Sequence, residues 1–309
     1  MNTLSLSRSI EGFFLEAGAR RLSPNTIRFY RAILVRFQKF FDADPLIGAI
    51  TKADLQRFMI SLDHLSKKTA LGHHAGLSAL WRWALSEELV ERNLVREIPA
   101  PVPEQHTIIP FTQVEVKALL GAVDKSMPYA RLGQRECQHS NPEALRNRVI
   151  IYLLLDTGIR ASELCGLRVR NLDLKARHVT VMGKGSKERT IYFSEITAKV
   201  IWRYLAQRSD ESLDAWMFPA WHSTSPLDAR DLYHVLHRIG QRAGVADVHP
   251  HRFRYTFAIQ YLRNKGDVYT LQRILGHTTL DMVRRYLAIA QTDIEAAHRL
   301  ASPVANWRL

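Results

Sequence analysis

A histidine and a tyrosine lie nine residues apart in the stretch LGHTTLDMVRRYLAI, which spans residues 275–289. A phenol can act as a nucleophile, and an imidazole can donate a hydrogen bond or carry a proton. On one continuous helix, nine positions would turn His277 and Tyr286 about 180° apart. Gly276 and the two threonines after His277 predict a helix break and a new N-cap, so we expect a second helix to begin after His277.

The second helix should carry an apolar stripe, and we expect Tyr286 beside that stripe rather than within it. The stripe consists of Leu280, Val283, Leu287 and Ala290. Taken alone, the stretch is more typical of a packing tyrosine and a loop histidine than of a reactive pair. Other polar motifs in the second half of the chain must decide between the two interpretations.

An arginine follows a long apolar run in VIIYLLLDTGIRASEL. An arginine at the end of a buried helix needs an anionic partner, because a guanidinium is costly to bury alone. Glu163 lies three residues after Arg160 and is one candidate partner. A bound phosphate is the other.

The segment GKGSKER separates two short β-branched and aromatic runs, HVTVM and RTIYF, and therefore predicts the tip of a β-hairpin. Two glycines around Lys184 should direct its ammonium outward, and Lys187 and Arg189, which add further positive charge, are candidate DNA contacts. Such tips are often solvated and without a role. Alternatively, Lys184 could enter a DNA groove, or it could protonate a leaving oxygen if neighbouring cations lower its pKa.

A third polar motif, HPHRFRYTFA, begins a predicted helix at residue 250. Pro250 suits the first helical position, which places His251 and Arg254 three residues apart on one face. A helix N-terminus favours phosphate, so this pair could form a phosphate clamp. A metal site is the main competing interpretation for His251 and His277, but no HExxH, HxH or carboxylate cluster accompanies them. We therefore expect no metal.

The composition indicates a polyanionic partner. The 309 residues include 43 Lys and Arg against 30 Asp and Glu, a net charge of +13, with 46% hydrophobic residues. Such an excess in a globular composition points to nucleic acid or an acidic membrane surface. The sequence contains no apolar run of membrane-spanning length and no signal-peptide pattern, so we expect a soluble intracellular protein. Cys137 and Cys165 lack metal or disulfide spacing.

Prolines at 99, 101, 103 and 110 mark a linker, which predicts a helical domain over residues 1–98, a linker over 99–110 and a second domain over 111–309. In the first domain, Ser23 and Thr51 are predicted helix caps. Lys67, Lys68 and His73, at the start of another helix, are candidate DNA contacts or simply a solvated surface. With Thr112 as a cap and one hairpin among helices, the whole chain is predicted to be mainly α with a small β-hairpin or sheet.

In order and spacing, TGIRASELCGL, GKGSKER, HPHRFRYTFA and LGHTTLDMVRRY resemble the motif series of the tyrosine recombinases, the family of phage and mobile-element integrases and Xer recombinases. The resemblance covers about 130 residues of the second domain, by the span of these motifs. It implies a tyrosine-recombinase catalytic domain there. The first domain resembles the family's helical core-binding domain with less specificity.

The resemblance implies a role for each of six residues. Arg160 and Arg254 would hold the non-bridging oxygens of the scissile phosphate, and His277 would donate a hydrogen bond to it. Lys184 would protonate the 5′ leaving oxygen, and His251 would assist proton transfer. Tyr286 would be the nucleophile and form a 3′-phosphotyrosyl bond, with no cofactor required.

The chain departs from the family pattern at Tyr255, where the family often has histidine, and we expect altered packing there. Tyr255 and Tyr269 remain rival nucleophiles. The family also implies double-stranded DNA as partner, four subunits on two DNA sites, and a prokaryotic cytoplasmic, nucleoid-associated location. We expect an integrase of a mobile element. The alternatives are a Xer-like resolvase of chromosome or plasmid dimers, a non-catalytic DNA-binding regulator, and a topoisomerase-like relaxing enzyme.

Overall fold

The computed structural model shows two compact units, Met1–Thr107 and Ile108–Leu309. It describes residues 4–104, 108–124, 140–183, 188–208, 210, 212–220, 223–277, 279–280, 283–284, 286–287, 298 and 302–307. The described part is mostly helical with one small sheet, which confirms the predicted fold class. No helix among the described residues is both long and apolar enough to cross a bilayer.

The described part of unit 1 contains four α-helices around one core. Side-chain hydroxyls of Ser5, Ser23, Thr51 and Ser66 cap them, and the caps at Ser23 and Thr51 were predicted. At Thr51 the cap is reciprocal, because Asp54 also accepts from the Thr51 backbone N–H at 2.8 Å. The helices are α1 Leu6–Ala19, α2 Pro24–Gln38, α3 Lys52–Ile60 and α4 Lys67–Ser86.

The core of unit 1 is aromatic. Phe37 packs edge-on against Phe58 and Trp81, with ring centroids 4.9 and 5.8 Å away. Helices α2 and α4 approach closely at Gly76, where a Cβ atom would lie 2.8 Å from the Ile33 Cγ2 atom. A larger residue at Gly76 would therefore force these helices apart.

Within its described ranges, unit 2 contains seven α-helices between Gln113 and Leu275, a short helix Pro303–Trp307 and a three-stranded antiparallel sheet of order β1-β2-β3. The predicted hairpin is confirmed, with Val181 opposite Arg189 and Val179 opposite Ile191. Strand β1 was not predicted. The elements are α5 Gln113–Ala122, α6 Ala144–Thr157, α7 Ala161–Cys165, β1 Leu172–Asp173, β2 His178–Met182, β3 Glu188–Tyr192, α8 Glu195–Ala206, α9 Ala229–Ala243, α10 Pro250–Arg263 and α11 Val268–Leu275.

Two apolar clusters hold unit 2 together. The larger surrounds α6, an apolar helix buried on most of its circumference, and includes the inner face of the sheet. The smaller joins α10 and α11 to Val283 and Tyr286, which lie in a helical segment after α11. Residues of the third motif, HPHRFRYTFA, and of the fourth, LGHTTLDMVRRY, therefore share one local core.

The first residues of unit 2 are fastened to α10. The Phe111 backbone N–H donates to Thr256 Oγ1 at 2.8 Å, and Arg252 donates to the Ile109 carbonyl at 2.9 Å. The Arg252 guanidinium also lies 3.9 Å from the Phe111 ring centroid and pairs with Glu115 at 2.8 Å. Since Glu115 completes the capping box at Thr112, Arg252 connects the start of α5 to α10.

Candidate active site

Arg160 occupies a sharp turn between α6 and α7. Helix α6 ends at Gly158 in the left-handed conformation (φ 60°), where an added Cβ atom would lie 2.5 Å from the Phe257 ring. The Arg160 guanidinium donates to Glu163 Oε1 at 2.9 Å and to the Gly276 carbonyl at 2.8 Å. The predicted partner Glu163 is confirmed, and the Arg160 side chain remains 32% exposed.

Glu163 is a buried carboxylate between two arginines. Besides Arg160, it accepts from both terminal nitrogens of Arg189, each at 2.7 Å. Burial favours the neutral acid, but the hydrogen bonds from Arg189 and Arg160 outweigh it and lower the Glu163 pKa to about 2. The carboxylate therefore stays ionised and can hold both cations.

Arg254 is almost fully buried on α10. Its guanidinium donates to the carbonyls of Gly158 and Leu275 at 2.7 and 2.6 Å, and its Nη2 atom lies 2.9 Å from His277 Nε2. Burial, followed by the charge of Arg160, lowers the Arg254 pKa to about 10. The guanidinium is still charged at neutral pH, so the site keeps a fixed cation next to Arg160.

The contact with Arg254 assigns the tautomer of His277. A guanidinium can only donate, so Nε2 must accept and the ring proton must be on Nδ1. Nδ1 is buried and finds no hydrogen-bond partner among the described residues. Burial first, then the charges of Arg254 and Arg160, lower the His277 pKa to about 4. His277 is thus a neutral imidazole with an N–H available to an anion.

Tyr286 meets His277 as the sequence suggested, but in a different environment. The two rings are nearly parallel, with centroids 6.1 Å apart, and Tyr255 contacts Tyr286 edge-on at 5.1 Å. Tyr286 is only 5% exposed and belongs to the buried cluster with Val283. The prediction that Tyr286 lies beside the apolar stripe is wrong, because α10 and α11 cover this side of the helical segment.

The break before Tyr286 is confirmed. Helix α11 ends at Gly276, whose left-handed backbone (φ 61°) turns the chain toward His277. The Gln272 side chain donates to the His277 carbonyl at 3.2 Å, and the His277 N–H donates back to the Gln272 carbonyl at 3.0 Å. Sequence reasoning missed Gln272, since a single polar residue on a helix carries no distinguishing signal.

Of two further predicted site residues, the structure describes His251 but not Lys184. His251 follows Pro250, which is confirmed at the start of α10, and it is exposed with its ring 6.5 Å from His249. Its charge contributes to the lowered pKa of His277. Lys184 lies outside the described residues, as does Lys187.

Two of the candidate DNA contacts are not on an open surface. Arg189 is 14% exposed, and the Glu163 carboxylate and the Ile274 carbonyl bind its guanidinium. His73 is buried, with Nδ1 3.0 Å from the Thr69 carbonyl and its ring against Phe58. Neither arrangement leaves the side chain facing solvent, so both predicted DNA contacts are corrected. Lys67 and Lys68 are exposed at the start of α4.

Within the described ranges, no group of three or more His, Cys, Asp or Glu side chains is placed to hold a metal ion. The buried Cys165 lies in the core, where burial raises its thiol pKa to about 12. The polar groups that converge in unit 2 are arginines, a neutral histidine and a tyrosine. Fixed cations and N–H donors around a phenol suit an anionic, phosphorus-centred reaction.

Comparisons with known proteins agree with this arrangement. A family model described as "Phage integrase family" matches residues 111–293. A tyrosine recombinase XerC of Staphylococcus epidermidis is 28% identical over 292 residues, covering 93% of this chain and 94% of the relative. The solved Tn1549 transposon integrase in complex with a circular intermediate DNA superposes with a TM-score of 0.75 at 19% identity, covering 96% of this chain and 100% of that one.

The XerH site-specific recombinase bound to its difH substrate superposes with a TM-score of 0.69 at 21% identity, covering 91% of this chain and 81% of that one. These two structures support the fold. The family match spans more than half of the chain and contains Arg160, Arg254, His277 and Tyr286. The chain therefore belongs to the phage integrase family, the tyrosine recombinases, and with it to the site-specific DNA recombinases.

Proposed function

We propose that the protein cleaves and rejoins duplex DNA through Tyr286, in the service of integration or excision of a mobile element. The Tyr286 oxygen attacks the scissile phosphorus, the bond to the 5′ oxygen breaks, and a 3′-phosphotyrosyl bond forms. Lys184 supplies the proton to the leaving 5′ oxygen. Attack by a free 5′ hydroxyl reverses the step and rejoins the strand.

The observation that carries this proposal is that Arg160 and Arg254 bond to the turn at Gly276 and His277, while the Tyr286 ring lies against the neutral His277 ring. Three of the five N–H groups of Arg254 bond to described residues, and Arg160 is partly exposed, so both retain donors for non-bridging phosphate oxygens. His277 offers its Nδ1–H to the same phosphate. His251, exposed at the start of α10, assists proton transfer.

Charge on a pentacoordinate phosphorus is stabilised best by donors that are already fixed in place. Arg254 and His277 are held by backbone carbonyls and by each other, so little reorganisation of these donors is needed during the reaction. Removing one such donor typically costs about 10²–10³ in rate. The burial of Tyr286 implies that its helical segment shifts when DNA binds.

Double-stranded DNA is the proposed substrate, and the net charge of +13 supports a phosphate-rich partner. The solved structural relatives include a lambda integrase dimer bound to a core site. By the same family logic we propose four subunits on two DNA sites, in the prokaryotic cytoplasm at the nucleoid. Lys67 and Lys68 are retained as proposed contacts to the DNA backbone.

The experiment that tests this function is covalent trapping. The recognition site is first recovered by selecting bound fragments from a randomised duplex pool, and a nicked duplex carrying it is the probe. Wild-type protein should form an adduct that resists denaturing gels, and peptide mapping should place the adduct on Tyr286. A chelator should leave the yield unchanged.

Tyr286→Phe keeps the ring and removes only the hydroxyl, so DNA affinity and fold should survive while the adduct disappears. Tyr269→Phe, at an exposed tyrosine of α11, is the matched control and should form the adduct normally. An adduct that persists in Tyr286→Phe, or that maps to Tyr255 or Tyr269, would overturn the assignment. Dependence on a divalent metal would point to another class of enzyme.

Resolution of chromosome or plasmid dimers is the second candidate function, favoured by the near full-length similarity to XerC. The two functions differ in where the recovered site lies. Direct repeats of the site that bound the gene and its neighbours indicate an integrase. A single chromosomal copy far from the gene indicates dimer resolution.

A further inference from the structure

Three successive backbone carbonyls at the end of α11 each accept from a different arginine. Ile274 accepts from Arg189 Nε at 3.0 Å, Leu275 from Arg254 at 2.6 Å and Gly276 from Arg160 at 2.8 Å. Carbonyls of the last helical turn lack partners within the helix and carry partial negative charge. The three guanidinium groups therefore form a cap over the turn that leads directly to His277, and we call this set the arginine cap.

The arginines come from three separate elements. Arg160 precedes α7, Arg189 lies on β3 and Arg254 on α10. Two of them, Arg160 and Arg189, also share the buried Glu163 carboxylate, which accepts from them through both oxygens. A single carboxylate thus ties the sheet to the active-site turn.

Gly276 shows how tightly this cap is packed. An added Cβ atom would lie 3.2 Å from Arg189 Cζ and 3.3 Å from Arg160 Nη1. The backbone also requires the left-handed conformation that glycine adopts without strain. A side chain here would displace Arg189, Arg160 or the turn itself.

Arg189 is the arginine of the cap to which the recombinase mechanism gives no role. Arg189 lies two residues before the buried Ile191 on β3, so the two side chains share the inner face of the sheet. Its guanidinium makes a set of hydrogen bonds that only arginine can make. Two parallel N–H groups bind Glu163 while the Nε–H binds Ile274. A lysine ammonium could not make both sets of bonds at once.

We propose that Arg189 is a positioning residue for DNA cleavage, which holds Glu163 against Arg160 and joins β3 to the turn that carries His277. This inference rests on the proposed cleavage reaction. Arg189 acts through other residues and does not contact the DNA. Because β3 directly follows the predicted hairpin tip with Lys184, the same bonds connect the base of that hairpin to the phosphate-binding side chains.

The test separates cleavage rate from DNA affinity in Arg189→Gln and Arg189→Lys. With the nicked duplex at saturating concentration, Arg189→Gln should slow adduct formation about 10²-fold, as expected when catalytic groups are displaced by about 1 Å. Its Kd for the uncleaved duplex should stay within about threefold of wild type. Arg189→Lys should recover part of the rate, since an ammonium can satisfy one of the two partners.

Lys175→Gln is the charge-matched control, because it removes one exposed cation from the turn between β1 and β2. It should match wild type in rate at saturating DNA. The double variant Arg189→Gln with Glu163→Gln provides a second check. If Arg189 acts through Glu163, the double variant should lose about as much rate as the worse single variant, rather than the product of the two losses.

Two results would overturn the proposal. In the first, Arg189→Gln weakens binding and lowers the salt dependence by about one phosphate contact while the saturated rate is unchanged, which makes Arg189 a DNA contact. In the second, the rate falls only in proportion to the folded fraction measured by thermal unfolding, which makes its role purely structural. Failure of the wild type to form any adduct would instead refute the proposed function.

Discussion

The two units use their basic residues in opposite ways. In unit 2, hydrogen bonds to carbonyls and to Glu163 hold Arg160, Arg189 and Arg254. In unit 1, Lys67 and Lys68 lie exposed at the start of α4, where Lys67 makes a long ion pair of 3.6 Å with Glu104. Fixed cations with desolvated surroundings can stabilise a transition state, whereas mobile cations mainly attract phosphates. We therefore expect the same formal charge to serve reaction rate in unit 2 and DNA affinity in unit 1.

Lys184→Ala should reduce the cleavage rate more than any other variant proposed below. It could also contradict the division between fixed cations that serve rate and mobile cations that serve affinity. The hairpin pattern predicts an exposed lysine, which by the comparison would serve affinity alone. As the general acid it should instead slow cleavage by about 10²–10⁴-fold with little change in Kd. Single-turnover adduct formation at saturating DNA measures this rate.

A substrate with a 5′-bridging sulfur is the control for Lys184. A thiolate leaves without needing a proton, so this substrate should largely restore cleavage by Lys184→Ala. Absence of rescue would make Lys184 a groove contact and would leave the division between fixed and mobile cations intact.

Acid should destabilise unit 2 through His277. This effect would distinguish the fixed cations of unit 2, which lower the pKa of a neighbouring group, from the exposed lysines of unit 1. Folding lowers the His277 pKa from 6.5 to about 4, through burial and the neighbouring arginines. Between these pH values the unfolded chain binds more protons than the folded chain, so stability falls as the pH decreases from 6.5 to 4. The loss should be on the order of 3 kcal/mol, since one pKa unit corresponds to about 1.4 kcal/mol.

Thermal unfolding across this pH range measures the His277 effect. His277→Gln removes the titrating group, so its Tm should decline less steeply than that of wild type. Parallel declines of the two proteins would show that the arginine cap does not perturb His277.

Replacing Lys67 and Lys68 together by glutamine should have the smallest effect. Two lost phosphate contacts should reduce the slope of log affinity against log salt by about 1.8 and weaken binding about tenfold at moderate salt. Cleavage at saturating DNA should be unchanged. Arg20→Gln, at the end of α1, removes one cation and is the control, and a loss there of half the change in log affinity would mean that net charge alone explains binding.

Local rules predicted the features that depend on a few neighbouring residues. The caps at Thr51 and Thr112, Pro250 at a helix start and the break at Gly276 are all present. Each depends on backbone donors or dihedral angles within one turn, which residue type alone can indicate. The convergence of His277 with Tyr286 also followed from the break.

Side-chain environments were harder to predict, because distant elements create them. His73 lies four and seven residues before Leu77 and Leu80, which is the spacing of a buried helix face, so the sequence did indicate its burial. The basic residues next to it favoured the interpretation as an exposed DNA contact instead. Arg189 lies two residues before the buried Ile191 and so shares its face of the strand, which likewise indicated an inward direction. Its partners Glu163 and Ile274 lie 26 and 85 residues away, and no local pattern reveals them.

The attachment of the first residues of unit 2 to α10 sets an order of events during synthesis. Phe111 and its partner Thr256 are separated by 145 residues, which takes about 7–30 s to translate. The described core of unit 1 extends only as far as Ile98, so unit 1 can fold long before Thr256 is synthesised. The reactive unit is thus completed late on the ribosome. A chain released before residue 250 lacks Arg254, His277 and Tyr286, so under the proposed mechanism we expect interrupted translation to yield no DNA-cutting fragment.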